Sequence, residues 1–209
     1  MSYLIYNGKR IITQDKYVIG NAAPPEEGVI YFQTFSDKVE FVSQPDVTGN
    51  KTFTANLFID SSTSSEMTIG LMNASNDFLF ISYTISADTG PNKVLVVNTR
   101  NTSVIRPYYN IDSYLNQIIT LEVIKTSSSI TSVKINNNTL TKAGDGYFTN
   151  GGTTLKAISG QYFSIWDVSI NGVASWTGYP NGNTNGAWVD NIGSNDGTVS
   201  GSPTTRNLF

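Results

Sequence analysis

Hydrophobic and polar residues alternate along most of this chain, and the alternation has a period of two. In "KTFTANLFID" (Lys51–Asp60), Phe53, Ala55, Leu57 and Ile59 fall on one face and Thr52, Thr54 and Asn56 on the other, the pattern of a half-buried strand. The runs "VIYFQTF", "KVEFV", "EMTIGLMN", "DFLFISYTIS", "KVLVVNT", "IITLEVIK", "SITSVKI" and "QYFSIWDVSING" also read as strands. Turn formers separate them, as in "DSSTSS", "NASND", "ADTGPN", "AGDG" and "TNGG". No window keeps helical spacing over helix length, and only "NIDSYLNQI" allows a single helical turn. The series predicts two packed antiparallel sheets, a β-sandwich of jelly-roll type spanning residues 29–175. Its shared core is expected to hold Phe53, Leu57, Ile59, Phe80, Leu121, Val123 and Trp166.

The first 20 residues form a separate unit in this reading. Asn7-Gly8 lies between two apolar runs, the strongest short signal for a two-residue hairpin because both positions tolerate positive φ. A third run at Tyr17–Ile19 completes a small meander, too small to be stable alone. Tyr3, Leu4, Ile5, Tyr6, Ile11, Ile12, Tyr17, Val18 and Ile19 are therefore expected to be buried against another chain, as an attachment element, the alternative being that these strands fold back onto the domain's own sheet. Residues 21–28, with Pro24-Pro25, read as a stiff linker.

Composition narrows the chemistry. Only 14% of the 209 residues are charged, below the roughly 25% of ordinary domains; Thr, Ser and Asn supply the polar surface instead, which suits strands. The formal charge of −3 with 13 Lys and Arg spread along the chain argues against a nucleic-acid partner. No apolar run reaches the ~20 residues of a membrane helix, so no membrane insertion is expected. The basic residues of "MSYLIYNGKRIIT" follow its apolar patch, the reverse of a secretory signal, which places synthesis in a cytoplasm. The absence of His and Cys excludes Ser-His-Asp and Cys-His catalysis, imidazole-ligated zinc and disulfides. A carboxylate pair for glycoside hydrolysis is what remains, yet Glu26, Glu27, Glu40, Glu66 and Glu122 stand apart from any E-x-D-x-x-E run. No catalytic residue, cofactor or metal ligand is assigned.

The last segment, residues 176–209, reads as an irregular tail that wraps the sandwich or a neighbouring subunit. Trp176, Tyr179 and Trp188 have two roles open to them: packing over the sandwich, or stacking on sugar with Asn183 as a polar partner. "DNIGSNDG" at Asp190–Gly197 offers oxygens for calcium, but lacks the alternating acids and closing Glu of an EF-hand loop.

Residues 29–171 resemble laminin-G-like, concanavalin-A-like jelly rolls. The tract after them is similar to the "D-x-x-G-x-N-x-G-T-V-x-G-S" pattern beside such domains in bacteriophage structural proteins. It falls on Asp190, Gly193, Asn195, Gly197, Thr198, Val199, Gly201 and Ser202. The opening hairpin is similar to the "NGK" hairpins that begin phage fibre and appendage proteins. The resemblance implies a non-enzymatic virion component, made in the bacterial host. It would be bound to other virion proteins and to its own copies (a homo-oligomer, trimers included), and would touch host surface glycans. The alternatives are a carbohydrate-binding receptor adhesin and a divergent glycoside hydrolase.

Overall fold

The computed structural model describes residues 3–6, 9–12, 29–34, 36–60, 67–72, 77–85, 93–98, 108–127, 129–142, 154–180, 187–206 and 208; before residue 29 and from 61 to 108 it describes backbone alone. The sheets are antiparallel throughout. One has six strands, in the order β12 (Asn138–Thr139), β11 (Ile130–Ile135), β10 (Ile118–Lys125), β5 (Lys51–Ile59), β14 (Phe163–Ile170) and β15 (Ala174–Trp176). The other has eight: β16 (Ala187–Trp188), β17 (Gly197–Ser200), β4 (Lys38–Phe41), β13 (Ala157–Gly160), β6 (Met67–Met72), β7 (Asp77–Ile85), β8 (Lys93–Asn98) and β9 (Tyr108–Asn110). A short ribbon pairs β3 (Val29–Tyr31) with β18 (Thr204–Arg206), and β1 (Tyr3–Tyr6) pairs with β2 (Lys9–Ile12). The chain crosses repeatedly from sheet to sheet, so that β13 lies between β4 and β6 and β5 between β10 and β14. This is an all-β fold of antiparallel sheets, a β-sandwich. Among the described residues the one helical turn is Asp112–Tyr114, inside the stretch where the sequence allowed one.

The inner faces supply one core. Phe53, Ala55, Leu57 and Ile59 of β5 and Leu121 and Val123 of β10 meet Val39, Phe41 and Ile158 from the opposite sheet. The predicted faces of β5 are therefore the observed ones. Trp166 departs from the expectation: it is buried, but in a second cluster with Val29, Phe58 and Tyr179 on the outer face of the six-stranded sheet. The reason is a bulge in β14. Trp166 pairs with Asn56 and Ser169 with Thr54, so two residues of β14 face the single Ala55, and the alternation slips by one. Phe163, Ile165, Val168 and Ile170 all keep to the core while Trp166 turns outward. The side chain of Phe80 lies outside the described residues.

The N-terminal strands pair in the register Tyr6↔Lys9, which leaves Asn7-Gly8 as the two residues between them. The third run of the expected meander, with Tyr17, Val18 and Ile19, lies outside the described residues. So do the side chains of Tyr3, Leu4, Ile5, Tyr6, Ile11 and Ile12.

The C-terminal region is more regular than its turn-rich sequence predicts. It adds β16 and β17 to the eight-stranded sheet beside β4, and β18 pairs with the first strand of the sandwich, β3. Glycine makes the close fit: a Cβ on Gly197 would stand 2.5 Å from Val39 Cγ1, inside the core. At Gly201, φ is +91°, and a Cβ would stand 2.6 Å from the Ser36 carbonyl oxygen and 2.8 Å from Asp37 Cα. Gly201→Ala is therefore expected to cost about 1–3 kcal/mol through backbone strain, read as a lower urea midpoint with unchanged slope. An unchanged midpoint would mean that the segment is not seated against Ser36 and Asp37.

Candidate functional site

The three tail aromatics proposed as sugar platforms are not on the surface. Trp176 is 0%, Trp188 2% and Tyr179 8% exposed. Trp176 packs between Phe41 and Trp188, at ring separations of 4.6 and 5.8 Å. The two indole N–H groups are used internally: Trp176 Nε1 donates to the Asn195 carbonyl at 2.9 Å and Trp188 Nε1 to the Thr177 carbonyl at 3.2 Å. Packing, the first of the two roles open to them, is the one Trp176 and Trp188 fill in the main core, while Tyr179 lies in the outer cluster. Asn183 lies outside the described residues.

The Asp190–Gly197 loop is organised around one carboxylate. Asp190 Oδ1 accepts from the backbone N–H of Ser175 and Ile192, and Oδ2 from the backbone and side-chain N–H groups of Asn195, at 2.7–3.3 Å. Asp196 Oδ1 accepts from the Asp190 N–H, and Asn191 Nδ2 donates to the Ser175 carbonyl and Thr177 Oγ1. Gly193 is required because a Cβ there would stand 2.9 Å from Asp190 Oδ2. The repeated Asp, Asn and Gly of the tract build a clasp that ties the tail to β15. Asp37 plays the same part at the other end, accepting from Gln33, Thr34 and Ser202 N–H groups. Burial alone would raise both carboxyls, but the donated backbone hydrogen bonds hold them below the usual carboxylate range. Among the described residues no three acidic side chains are grouped as metal ligands.

The residues best arranged to meet a ligand lie on the outer face of the six-stranded sheet. One row crosses three strands: Thr120 Oγ1 donates to Asn56 Oδ1 at 2.8 Å, and Asn56 Nδ2 donates to Asp167 Oδ2 at 3.0 Å. Asp167 Oδ1 accepts from the Gly178 N–H at 2.7 Å. Asp167 is the bulge residue of β14 and sits at φ 48°, a left-handed conformation that Asp tolerates better than most residues. A second row holds Lys134 Nζ against Glu122 Oε1 at 2.6 Å and Thr54 Oγ1 against Ser169 Oγ at 2.6 Å. Glu122 and Lys134 stay about one-third open to solvent, at 30% and 33%. Sequence reading missed this face because Asn56 and Asp167 are 111 positions apart, and each alone is an ordinary outward polar residue.

Beside the first row lies the outer aromatic cluster. Trp166 and Tyr179 rings are 5.4 Å apart, and Val29, Phe58 and Leu208 pack with them. Burial, reinforced by Asp167, pushes the Tyr179 hydroxyl up to about 12. Over Phe58 and Tyr31 lies the Arg206 guanidinium, 5.1 Å from each ring centre. It is ion-paired with the buried Asp60, which also accepts from the Tyr31 hydroxyl at 3.2 Å.

Two expected outcomes follow from the carboxylate clasps. Because Asp37 and Asp190 ionise more readily when folded, their stabilisation is complete above the unfolded value of about 3.9 and is lost as pH falls below it. Thermal melts from pH 5 to 2 should show this loss, and Asp190→Asn should shrink it while lowering the melting temperature at pH 7. Melts in calcium chloride and in EDTA should coincide, since four N–H donors already occupy the Asp190 oxygens; a calcium-dependent rise would contradict the clasp.

In overall shape the chain is similar to galectins of solved structure. Galectin LEC-6 of Caenorhabditis elegans is 17% identical, with 71% of this chain and 93% of that one covered at a TM-score of 0.42. Galectin-Ib of Xenopus laevis is 11% identical, covering 65% and 99% at 0.44. CG-16, a homodimeric agglutinin from chicken liver, is 12% identical, covering 69% and 99% at 0.42. The chain matches no protein-family model and no curated protein.

Proposed function

We propose that the chain is a non-enzymatic carbohydrate-binding module whose site is the outer face of the six-stranded sheet. One observation carries the reading: the row Thr120–Asn56–Asp167 is held rigid by its own hydrogen bonds across three strands. Sugars are recognised by hydroxyl, amide and carboxylate groups fixed on a stiff scaffold. Each member of the row keeps unused hydrogen-bonding capacity, since an oxygen acceptor takes more than one donor. Glu122 and Lys134 beside it give mixed charge rather than a basic patch, which suits a hydroxyl-rich ligand better than a polyphosphate.

Hydrolysis is the weaker reading for the same face. It needs one carboxyl set in an apolar pocket as an acid and a second as base or nucleophile. Glu122 is instead ion-paired with Lys134, and Asp167 accepts from Asn56 and Gly178.

The N-terminal hairpin favours a further role in display. Among the described strands, β1 and β2 pair only with each other, as a mounting element would before it meets its partner. With the sequence resemblance, this supports a module carried on a larger assembly, a phage virion built with other virion proteins and further copies of the chain.

A glycan array probed with the full chain tests the main reading. Binding to at least one glycan is expected, and Asn56→Ala should weaken it about tenfold, roughly 1.4 kcal/mol, with an unchanged circular dichroism spectrum. A blank array, or binding indifferent to both Asn56→Ala and Glu122→Gln, would overturn it.

A further inference from the structure

We propose that the C-terminal strap, Thr204–Arg206 with Leu208, occupies a saccharide subsite built from Phe58, Trp166 and Tyr179, and that the strap must move for the subsite to be used. The proposal rests on the reading of the outer face as a glycan site. The aromatic cluster borders the polar row directly. Trp166 pairs across the sheet with Asn56, Phe58 is two residues along β5 from Asn56 on the same face, and Tyr179 follows the Gly178 that donates to Asp167. An aromatic platform beside amide and carboxylate groups is the arrangement by which a sugar ring stacks and is oriented. Here the apolar partners on that platform are this chain's own Val29, from β3, and Leu208, from the strap.

The strap is lightly attached. β18 makes three residue pairs with β3 and joins neither main sheet. Thr204 and Thr205 are exposed. The segment leaves β17 through Gly201, whose φ is +91°. Its principal side-chain fixture is Arg206, ion-paired with Asp60 and stacked over Phe58 and Tyr31.

The strand beside Phe58 carries a second, independent sign. Ser164 pairs with Phe58 across the sheet, is 0% exposed, and its hydroxyl has no hydrogen-bond partner. A buried hydroxyl left unpaired costs about 1–3 kcal/mol and calls for an explanation. A sugar hydroxyl entering beside Phe58 would give that hydroxyl the partner it lacks. The ligand class is therefore an oligosaccharide, one residue on the polar row and the next stacked on Trp166 and Tyr179.

Calorimetric titration of the full chain with cellohexaose, maltohexaose and mannohexaose tests this, alongside the glycan array. Arg206→Ala and Leu208→Ala should each tighten binding of the hexasaccharide recognised. The gain is on the order of tenfold if the strap is open about a tenth of the time. Trp166→Ala added to Arg206→Ala should abolish that gain. In the unaltered chain, saturating hexasaccharide should speed hydrogen exchange at the Thr204–Arg206 amides, a readout that does not depend on any variant folding. Unchanged or weaker binding by both folded variants, a gain that survives loss of Trp166, or strap exchange unchanged or slowed by ligand would each overturn the strap proposal while leaving the glycan face standing. If the full chain and both variants bind nothing on the array or among the hexasaccharides, the glycan face itself is overturned and the subsite with it.

Discussion

One extra residue in β14 decides what both faces of the six-stranded sheet carry. Without the bulge at Asp167, the alternation set by Phe163 and Ile165 would turn Val168 and Ile170 to solvent. With it, those four side chains fill the core, and Trp166 and Ser169 both point outward, opposite Asn56 and Thr54. The bulge residue itself reaches Asn56 on β5 and the backbone of Gly178 after β15. Local backbone geometry thus fixes the polar row, the aromatic cluster beside it and the chain path after Trp176.

The C-terminal region depends on the same corner and completes the molecule. Trp176 and Trp188 fill the core between the sheets and rank among its largest fully buried side chains. Closing a sandwich with a Gly- and Asn-rich segment leaves many backbone donors without strand partners. Asp190 and Asp37 gather them, each carboxylate serving several N–H groups at once. Hydrogen bonds to a charged acceptor are stronger than neutral ones, so two acids hold in place a stretch that strand pairing alone would not.

Much of the fold was legible because period-2 alternation reports directly on which face is buried. β5 and β10 show it cleanly, and Phe53, Leu57, Ile59, Leu121 and Val123 were predicted individually, though Ile119 was not. β13 escaped notice because "AISG" is short and made of small residues, buried on both faces by neighbours that no local pattern reveals. The bulge was visible as a slip, with Phe163 and Ile165 followed by Val168 and Ile170, yet Trp166 reads as core when size is weighed above phase. The tail aromatics divided between packing and ligand on sequence grounds; Trp176 and Trp188 pack in the main core, and Tyr179 belongs to the outer cluster. The polar row was illegible, because its members come from strands 64 and 111 positions apart and acquire meaning only through register. The Asp190 tract showed its glycines and acids, but whether such oxygens face a cation or backbone N–H groups depends on the loop's fold.

The most direct measurement is an amide NMR titration of the full chain with the glycan bound most strongly on the array. A saccharide lying across the outer face should shift the signals of Asn56, Thr120, Glu122, Asp167 and Ser169, with Trp166 and Tyr179 following if a second sugar residue enters beneath the strap. Shifts centred on the Asp190–Gly197 loop or on the eight-stranded sheet, with those residues silent, would contradict it.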